Sequence, residues 1–453
     1  MHRAVLPVTL FTLSALVYAA SDELRGLLAN RVDESKRAVG MVAGTIDASG
    51  RAVIPYGKPA KDSTESITGD TIFEIGSVTN VFTSLLLADM VERGEVKLDT
   101  PVAELLPGLR IPYREGKKIT LQDLSMHFSG LPRMPTNMSP KNLRNIYADY
   151  TPQNLTEFFS DYLLDRNPGT RFEYSNLGMG LLGYALAKKS GMTYEQLLRK
   201  RILDPLEMHD TGITLTAEQK KRMATGYNPA LEPTEPWDFD VLAGCGALRS
   251  TANDLLKFLA ANLELTDTPL KAAMSRMRSV RRDTGTENLS ILLGWQSYKK
   301  YDTDIAWHNG STGGFWSFVG FDPAKKAGVV VLCNTYLNID DIGLHAIENQ
   351  WPVKSLEPPK QITEIKLDPK ILARYVGEYQ FDPTVSLKIT LEDGHLYGEP
   401  GTQPRFELIA ERETEFFVKV LDTQITFVKD PKGKIAGLIL KRNGKSIRGE
   451  KVH

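Results

Sequence analysis

The sequence predicts an α+β fold followed by a small all-β module, and three observations predict it. Helical periodicities and hairpin-like apolar runs share residues 21–350. A proline-rich, charged stretch then interrupts the pattern over 351–369, and beyond it apolar residues alternate with a period of two to the end of the chain. The composition is that of a globular protein, 42% hydrophobic and 25% charged over 453 residues. Lys plus Arg (55) balances Asp plus Glu (56), which argues against nucleic acid as the main partner. Two cysteines, Cys245 and Cys333, are too few for a disulfide framework or a zinc site and read as buried thiols.

Residues 1–20 form a leader. His2 and Arg3 are its basic start, Ala4 to Val17 its apolar run, and Val17-Tyr18-Ala19 or Tyr18-Ala19-Ala20 a small-residue cleavage site. The run is too short to span a bilayer and Pro7 interrupts it, so the protein is expected to be exported, periplasmic or secreted, with no membrane span. From Ser21 to Lys36, Leu24, Leu27, Leu28 and Val32 share one helical face. Val39 to Tyr56 reads as a hairpin turning at Asp47-Ala48-Ser49-Gly50.

Ile72 to Glu92 is the strongest helix, with Val78, Phe82, Leu85, Leu86 and Val91 at helical spacing and Gly94 closing it. A second helix follows Thr251, where Thr251-Ala252-Asn253-Asp254 resembles a capping box. Gly314 to Phe321 and Gly328 to Cys333 are strand-like around a turn at 322–326. Trp351 to Pro369 reads as a linker, and 370–453 as the β module. Its alternating runs are punctuated at Asp393-Gly394, Lys432-Gly433 and Asn443-Gly444.

Two motifs fail on context. Gly178-Met179-Gly180-Leu181-Leu182-Gly183 matches the dinucleotide fingerprint, but the residues before it are too polar for a central parallel strand. Those glycines read as helix-packing positions. The literal S-x-x-K, Ser297 to Lys300, has no buried helix behind it. No Walker A, H-E-x-x-H or G-x-S-x-G sequence is present, and no cofactor or metal is expected.

The chemistry-bearing residues lie in three places. Ser77 stands at the start of the strong helix, where its own amide and the positive end of the helix dipole favour attack on a carbonyl. One turn on, a side chain on the same face reaches that hydroxyl, and a neutral lysine there would take its proton. That place is Asn80. Tyr174-Ser175-Asn176 puts a phenol and an amide on a loop before a helix, and His308-Asn309-Gly310-Ser311 precedes Thr312-Gly313-Gly314 on a polar edge strand.

In this order and context, residues 21–350 resemble the penicillin-recognising serine hydrolases: class C β-lactamases, D-alanyl-D-alanine carboxypeptidases and related esterases and D-aminopeptidases. The likeness extends to Lys97-Leu98-Asp99-Thr100-Pro101-Val102, Ser129-Gly130-Leu131-Pro132 and Gly246-Ala247-Leu248-Arg249-Ser250-Thr251. The tail from Tyr375-Val376-Gly377-Glu378-Tyr379 resembles a lipocalin-like β-barrel module.

The resemblance implies an antiparallel sheet with helices on both faces, an all-helical region, and a site at their junction. It implies Ser77 as the acylated nucleophile, Tyr174 as its proton-transfer partner, and Asn176 as a hydrogen-bonding partner of a substrate amide. His308 would bind the substrate carboxylate or tune Tyr174, and Gly310 would allow close approach. The Ser77 and Ser311 amides would form the oxyanion hole. The implied partner is a small-molecule or peptide substrate: a β-lactam, a D-amino-acid peptide or a small ester. Preferred substrate and oligomeric state are left open.

Asn80 departs from the family pattern, because an amide has no basic nitrogen to take the serine proton. The expectation is a family fold with severely reduced acylation, or a pseudoenzyme that binds such ligands or a protein partner without turnover. Asn80 itself reads as the neutral residue of a non-catalytic relative or as a substitution that traps a complex. Phe128, before Ser129, is a second departure and is expected to narrow the site wall.

Overall fold

The computed structural model describes residues 21–358, 363–382, 385–400, 405–418, 423–442 and 445–452. The expected leader over 1–20, part of the proline-rich stretch and the expected turn at Asn443-Gly444 lie outside the described residues. The chain divides into two compact units, the first running to Leu356 and the second comprising Glu357 onward together with Asn228–Glu232.

The first unit is built on one antiparallel sheet. Its strands are β1 (Gly40–Asp47), β2 (Gly50–Gly57), β3 (Arg281–Thr286), β4 (Leu289–Leu292), β5 (Gln296–Lys300), β6 (Thr303–Ser311), β7 (Trp316–Asp322) and β8 (Ala327–Cys333). They lie in the order β2-β1-β8-β7-β6-β5-β4-β3. The pairing Met41 with Cys333 and Gly44 with Val330 joins the N-terminal hairpin to the last strand.

The near-continuous apolar run of β8 follows from burial on both faces. Val329, Val331 and Cys333 pack with Leu24, Leu28 and Ile342 on one side. Val330 and Leu332 pack on the other with Leu255 and Leu259. Helices therefore cover both faces, and Cys245 and Cys333 are buried free thiols.

The helices that position the site are α1 (Thr79–Glu92), α2 (Asn176–Ser190) and α3 (Ala252–Asn262). Every residue of α1 from Thr79 to Met90 is buried, as in a helix enclosed by its neighbours. The helix predicted from Ile72 begins later than its periodicity suggests. Phe73–Glu74 is a short strand paired with Arg249–Ser250, and Gly76 turns the chain at φ 47°. A single 3-10 turn, Gly76–Val78, then leads into α1. The apolar spacing continues through the strand, so it could not mark where the backbone turns.

The Thr251 cap is also only half of the expected box. Its hydroxyl accepts the Asp254 N–H at 3.1 Å, while the Asp254 carboxylate serves Thr211 and Lys257 instead. In α2, a Cβ on Gly183 would stand 2.9 Å from the Cα of Gly244. These glycines do serve close helix packing. Trp351, placed in the linker by its composition, is buried against the rings of Tyr298 and Tyr301, with centroids 4.8 and 5.4 Å away.

The second unit is a closed eight-strand barrel in simple up-and-down order. Its strands are β9 (Gly377–Asp382), β10 (Val385–Glu392), β11 (His395–Glu399), β12 (Phe406–Ala410), β13 (Glu415–Val418), β14 (Thr423–Lys429), β15 (Ile435–Arg442) and β16 (Lys445–Val452). Closure leaves no unpaired edge. The alternating positions Leu387, Ile389, Ile425, Phe427 and Leu438 are buried together. Tyr375 stacks on Phe427 at 4.4 Å, and the Tyr379 hydroxyl donates to the Tyr375 carbonyl at 2.7 Å.

Candidate active site

Ser77 sits on the 3-10 turn between the Phe73–Glu74 strand and α1, a place fixed by backbone contact with β6. A Cβ on Gly310 would stand 2.0 Å from the Ile75 carbonyl oxygen and 2.7 Å from the Ser77 nitrogen. A Cβ on Gly76 would stand 2.7 Å from the Ser311 nitrogen. Two glycines facing one another thus let the two chains touch, and the amides of Ser77 and Ser311 both border that contact. The Ser317 hydroxyl donates to the Ile75 carbonyl at 2.8 Å and ties β7 to the same turn. Behind it, Glu74 accepts the Trp237 N–H at 2.8 Å and pairs with Arg249 at 3.3 Å.

On the first turn of α1, the Asn80 side-chain N–H donates to the Tyr174 phenol oxygen at 2.7 Å. The Ser77 side chain adjoins the same phenol and favours its ionised form. Burial pushes Tyr174 up to about 12, outweighing the lowering effects of the Ser77 side chain, of the nearby Arg133 charge and of the hydrogen bond from Asn80. The phenol is therefore protonated at neutral pH. Asn80 is fully buried and its carbonyl oxygen has no partner.

Asn176 is the first residue of α2, capped by Ser175, whose hydroxyl accepts the Gly178 N–H at 2.9 Å. The Asn176 side-chain N–H donates to the Tyr147 hydroxyl at 2.7 Å, leaving its buried carbonyl oxygen without a partner. His308 lies on β6 with its ring centroid 6.3 Å from that of Tyr174. Its Nδ1 meets the Asn309 carbonyl at 2.5 Å, so Nδ1 carries the proton and Nε2 is a buried acceptor without a partner. Burial lowers His308 to about 4.

The structure therefore gathers Ser77, Asn80, Tyr174, His308, Gly310 and Ser311 around one phenol and one backbone contact, with Asn176 two residues from Tyr174. Sequence reasoning missed two neighbours. His127 stacks on Tyr174 at 4.2 Å, and its Nδ1 accepts the Ser175 N–H at 3.1 Å. Its backbone is held at φ 60°, and burial, then the charges of His308 and Arg133, lower it to about 3. Arg133 lies over the Tyr174 ring, with its guanidinium carbon 5.1 Å from the centroid. Both flank the Ser129-Gly130-Leu131-Pro132 stretch, which was the available signal. Phe128 is buried against Phe172, with Arg282 over its ring. Ser297, by contrast, is a strand residue whose hydroxyl bonds with Asp304.

Chemically, the arrangement offers a hydroxyl at a helix start, two backbone amides beside it and a protonated phenol. The group at the lysine position cannot accept a proton. Among the described residues, no cluster of three His, Cys, Asp or Glu side chains is placed to hold a metal, and no helix is long and apolar enough to cross a membrane.

Residues 24–346 match the family model described as Beta-lactamase, and residues 362–451 match one described as a domain of unknown function, DUF3471. The chain is 26% identical over 373 residues to a beta-lactamase of Escherichia coli K12, covering 74% of this chain and 95% of the relative. It is 28% identical over 310 residues to the D-alanyl-D-alanine-carboxypeptidase/endopeptidase AmpH of the same strain, covering 65% and 79%. Among solved structures, the beta-lactamase from Sulfitobacter sp. EE-36 superposes with a TM-score of 0.63 at 25% identity, over 73% of this chain and 97% of that one. The class C beta lactamase from Rhodobacter sphaeroides gives a TM-score of 0.63 at 24% identity, over 72% and 99%, and shares the fold.

Proposed function

Because the chain belongs to the Beta-lactamase family, we propose that it is an exported serine hydrolase acting through an acyl-enzyme on Ser77 and slowed by Asn80. The substrate class is a β-lactam, a D-amino-acid peptide or a small ester. The observation that carries this reading is the Tyr174 phenol oxygen, which accepts the Asn80 amide N–H at 2.7 Å beside the Ser77 side chain. Export rests on the leader pattern of residues 1–20. The closed eight-strand order of the second unit supports reading it as the lipocalin-like module.

In the reaction, Ser77 Oγ bonds to the substrate carbonyl carbon while the Ser77 and Ser311 amides take the developing oxyanion. The free carbonyl oxygen of Asn176 accepts a substrate N–H. The serine proton passes by way of Tyr174 to the leaving group, and water later releases the acyl group. Proton transfer is the weak step. With Tyr174 raised to about 12, roughly 10⁻⁵ of the molecules carry the phenolate at pH 7.

A second reading has its own support. The orphaned Asn80 carbonyl oxygen and the raised Tyr174 suit a pseudoenzyme that binds such ligands, or a protein partner, without turnover.

Intact mass after incubation with benzylpenicillin tests both readings on this chain, Ser77→Ala and Asn80→Lys. An adduct on this chain that maps to Ser77 and is absent from Ser77→Ala supports the hydrolase. No adduct on this chain but an adduct on Asn80→Lys supports the pseudoenzyme. If Asn80→Lys also stays unmodified, or if label remains on Ser77→Ala, the β-lactam form of both readings falls.

A further inference from the structure

Arg133 follows the Ser129-Gly130-Leu131-Pro132 stretch, and its backbone is anchored to the start of α2. Its carbonyl accepts the Asn176 N–H at 3.0 Å and the Leu177 N–H at 3.2 Å. The side chain is exposed, with its guanidinium carbon 5.1 Å from the Tyr174 ring centroid, a cation–π placement that holds the planar fork beside the site. The other charges near Ser77 are spent. Glu74 is paired with Arg249, which also pairs with Asp238, and Arg282 is paired with Asp123. Among the described residues, no ion pair joins Arg133 to a carboxylate.

The family resemblance places a substrate carboxylate at His308, but this histidine is unsuited to the task. It is buried, its Nδ1 proton is committed to the Asn309 carbonyl, and its Nε2 presents a lone pair. An acceptor lone pair repels a carboxylate, so an acidic group in this site needs another positive partner, and Arg133 over the Tyr174 ring is placed to supply it. We propose that Arg133 is a specificity-determining residue that binds a carboxylate carried by the substrate on the Asn176 side of the bond to be cleaved. The favoured acyl donors then carry an acidic side group. The inference rests on the Ser77 reading above.

The test uses ligands that differ by one charge: phenylboronic acid and its 3-carboxy and 4-carboxy derivatives, whose boron bonds to a nucleophilic serine oxygen. Dissociation constants are measured by calorimetry on the full chain, Arg133→Gln, Arg133→Lys and Ser77→Ala. At least one carboxylated compound should bind this chain about three- to tenfold more tightly than the parent, a range limited by solvent screening at an exposed site. That ratio should fall to about one in Arg133→Gln and with 0.5 M salt, and Arg133→Lys should keep part of it, since charge is retained without the planar fork.

A ratio of one in this chain, or an undiminished ratio in Arg133→Gln, overturns the inference and leaves the Ser77 reading standing. Absent binding of all three compounds, or binding that survives Ser77→Ala, overturns the Ser77 reading and the inference with it.

Discussion

Asn80 donates its side-chain N–H to the phenol oxygen of Tyr174 over 2.7 Å, while its own carbonyl oxygen is buried without a partner. On the proposed reading, this one contact keeps the geometry of a proton relay and removes its base. An amide can hold the phenol in place beside Ser77, but it carries no charge to draw the phenol toward ionisation, and burial holds Tyr174 at about 12.

Asn80→Lys should restore what the amide lacks. A lysine at this position supplies a positive charge next to the phenol and, when neutral, a basic nitrogen next to Ser77. Acylation is expected to rise about 10²–10⁴-fold, the usual contribution of general base catalysis. The rate of nitrocefin hydrolysis against pH is the measurement. The limb of the profile that rises with pH as Tyr174 loses its proton should lie at lower pH in Asn80→Lys than in this chain, because the added charge lowers Tyr174. A folded variant with an unaltered rate and profile would refute the assignment of Tyr174 and residue 80 to one relay.

The contact between Gly310 and the Ser77 turn leaves no room for a methyl group. Gly310→Ala would press a Cβ to within 2.0 Å of the Ile75 carbonyl oxygen, so the backbone must move. The expected cost is about 1–3 kcal/mol of stability, together with loss of labelling at Ser77 because its amide is displaced. Urea unfolding and intact mass read the two effects separately. A variant that keeps full stability and full labelling would show that the close approach is not needed.

Much of this site was legible because its signals are local. Ser77 at a helix start, Tyr174-Ser175-Asn176 before a glycine-rich helix, and His308-Asn309-Gly310 on a strand each carry their own residue pattern. β1, β2, β7 and β8 were legible as apolar runs, since both faces of β8 are covered, whereas β3, β4 and β5 left no such run to read. What stayed hidden depends on tertiary placement. The Phe73–Glu74 strand is defined by its pairing with Arg249–Ser250, which no spacing reveals. His127 and Arg133 look like ordinary loop residues until the fold stacks one on Tyr174 and lays the other over its ring. His308 was legible as a site residue, but its uncharged state comes from burial and from the bond to Asn309.

The two buried histidines make stability fall in mild acid. Both are lowered by burial, His308 to about 4 and His127 to about 3, against 6.5 for each when exposed. Between pH 6.5 and 4 the unfolded chain binds these protons and the folded chain does not, so unfolding takes up about one proton per histidine and stability drops as pH falls. Glu74 and Asp340, raised by burial, act in the opposite sense, so the histidine contribution is isolated by variants. Urea midpoints from pH 7.5 to 4.5 should fall less steeply for His308→Gln and for His127→Gln than for this chain. Parallel curves would mean that neither histidine is buried uncharged.

Arg31 and Asp341 form the most buried ion pair of the first unit, 2.9 Å apart with side chains 2% and 5% exposed. The pair also holds the chain at Lys354, whose N–H donates to Asp341 at 2.8 Å and whose carbonyl accepts from Arg31 at 2.8 Å. Taking two charges out of water is offset here by their attraction and by these backbone bonds, so the net worth of the pair is small while the worth of either partner alone is large. Arg31→Met leaves a buried carboxylate with no cation and should cost about 3–5 kcal/mol. Adding Asp341→Leu should recover most of that loss, because the stranded charge is gone, although the Lys354 N–H then lacks its acceptor. Urea denaturation of the two single variants and the double variant measures the coupling. If the double variant is no more stable than Arg31→Met, the loss comes from packing around Arg31, and the charge balance at this helix contact is not what the pair provides.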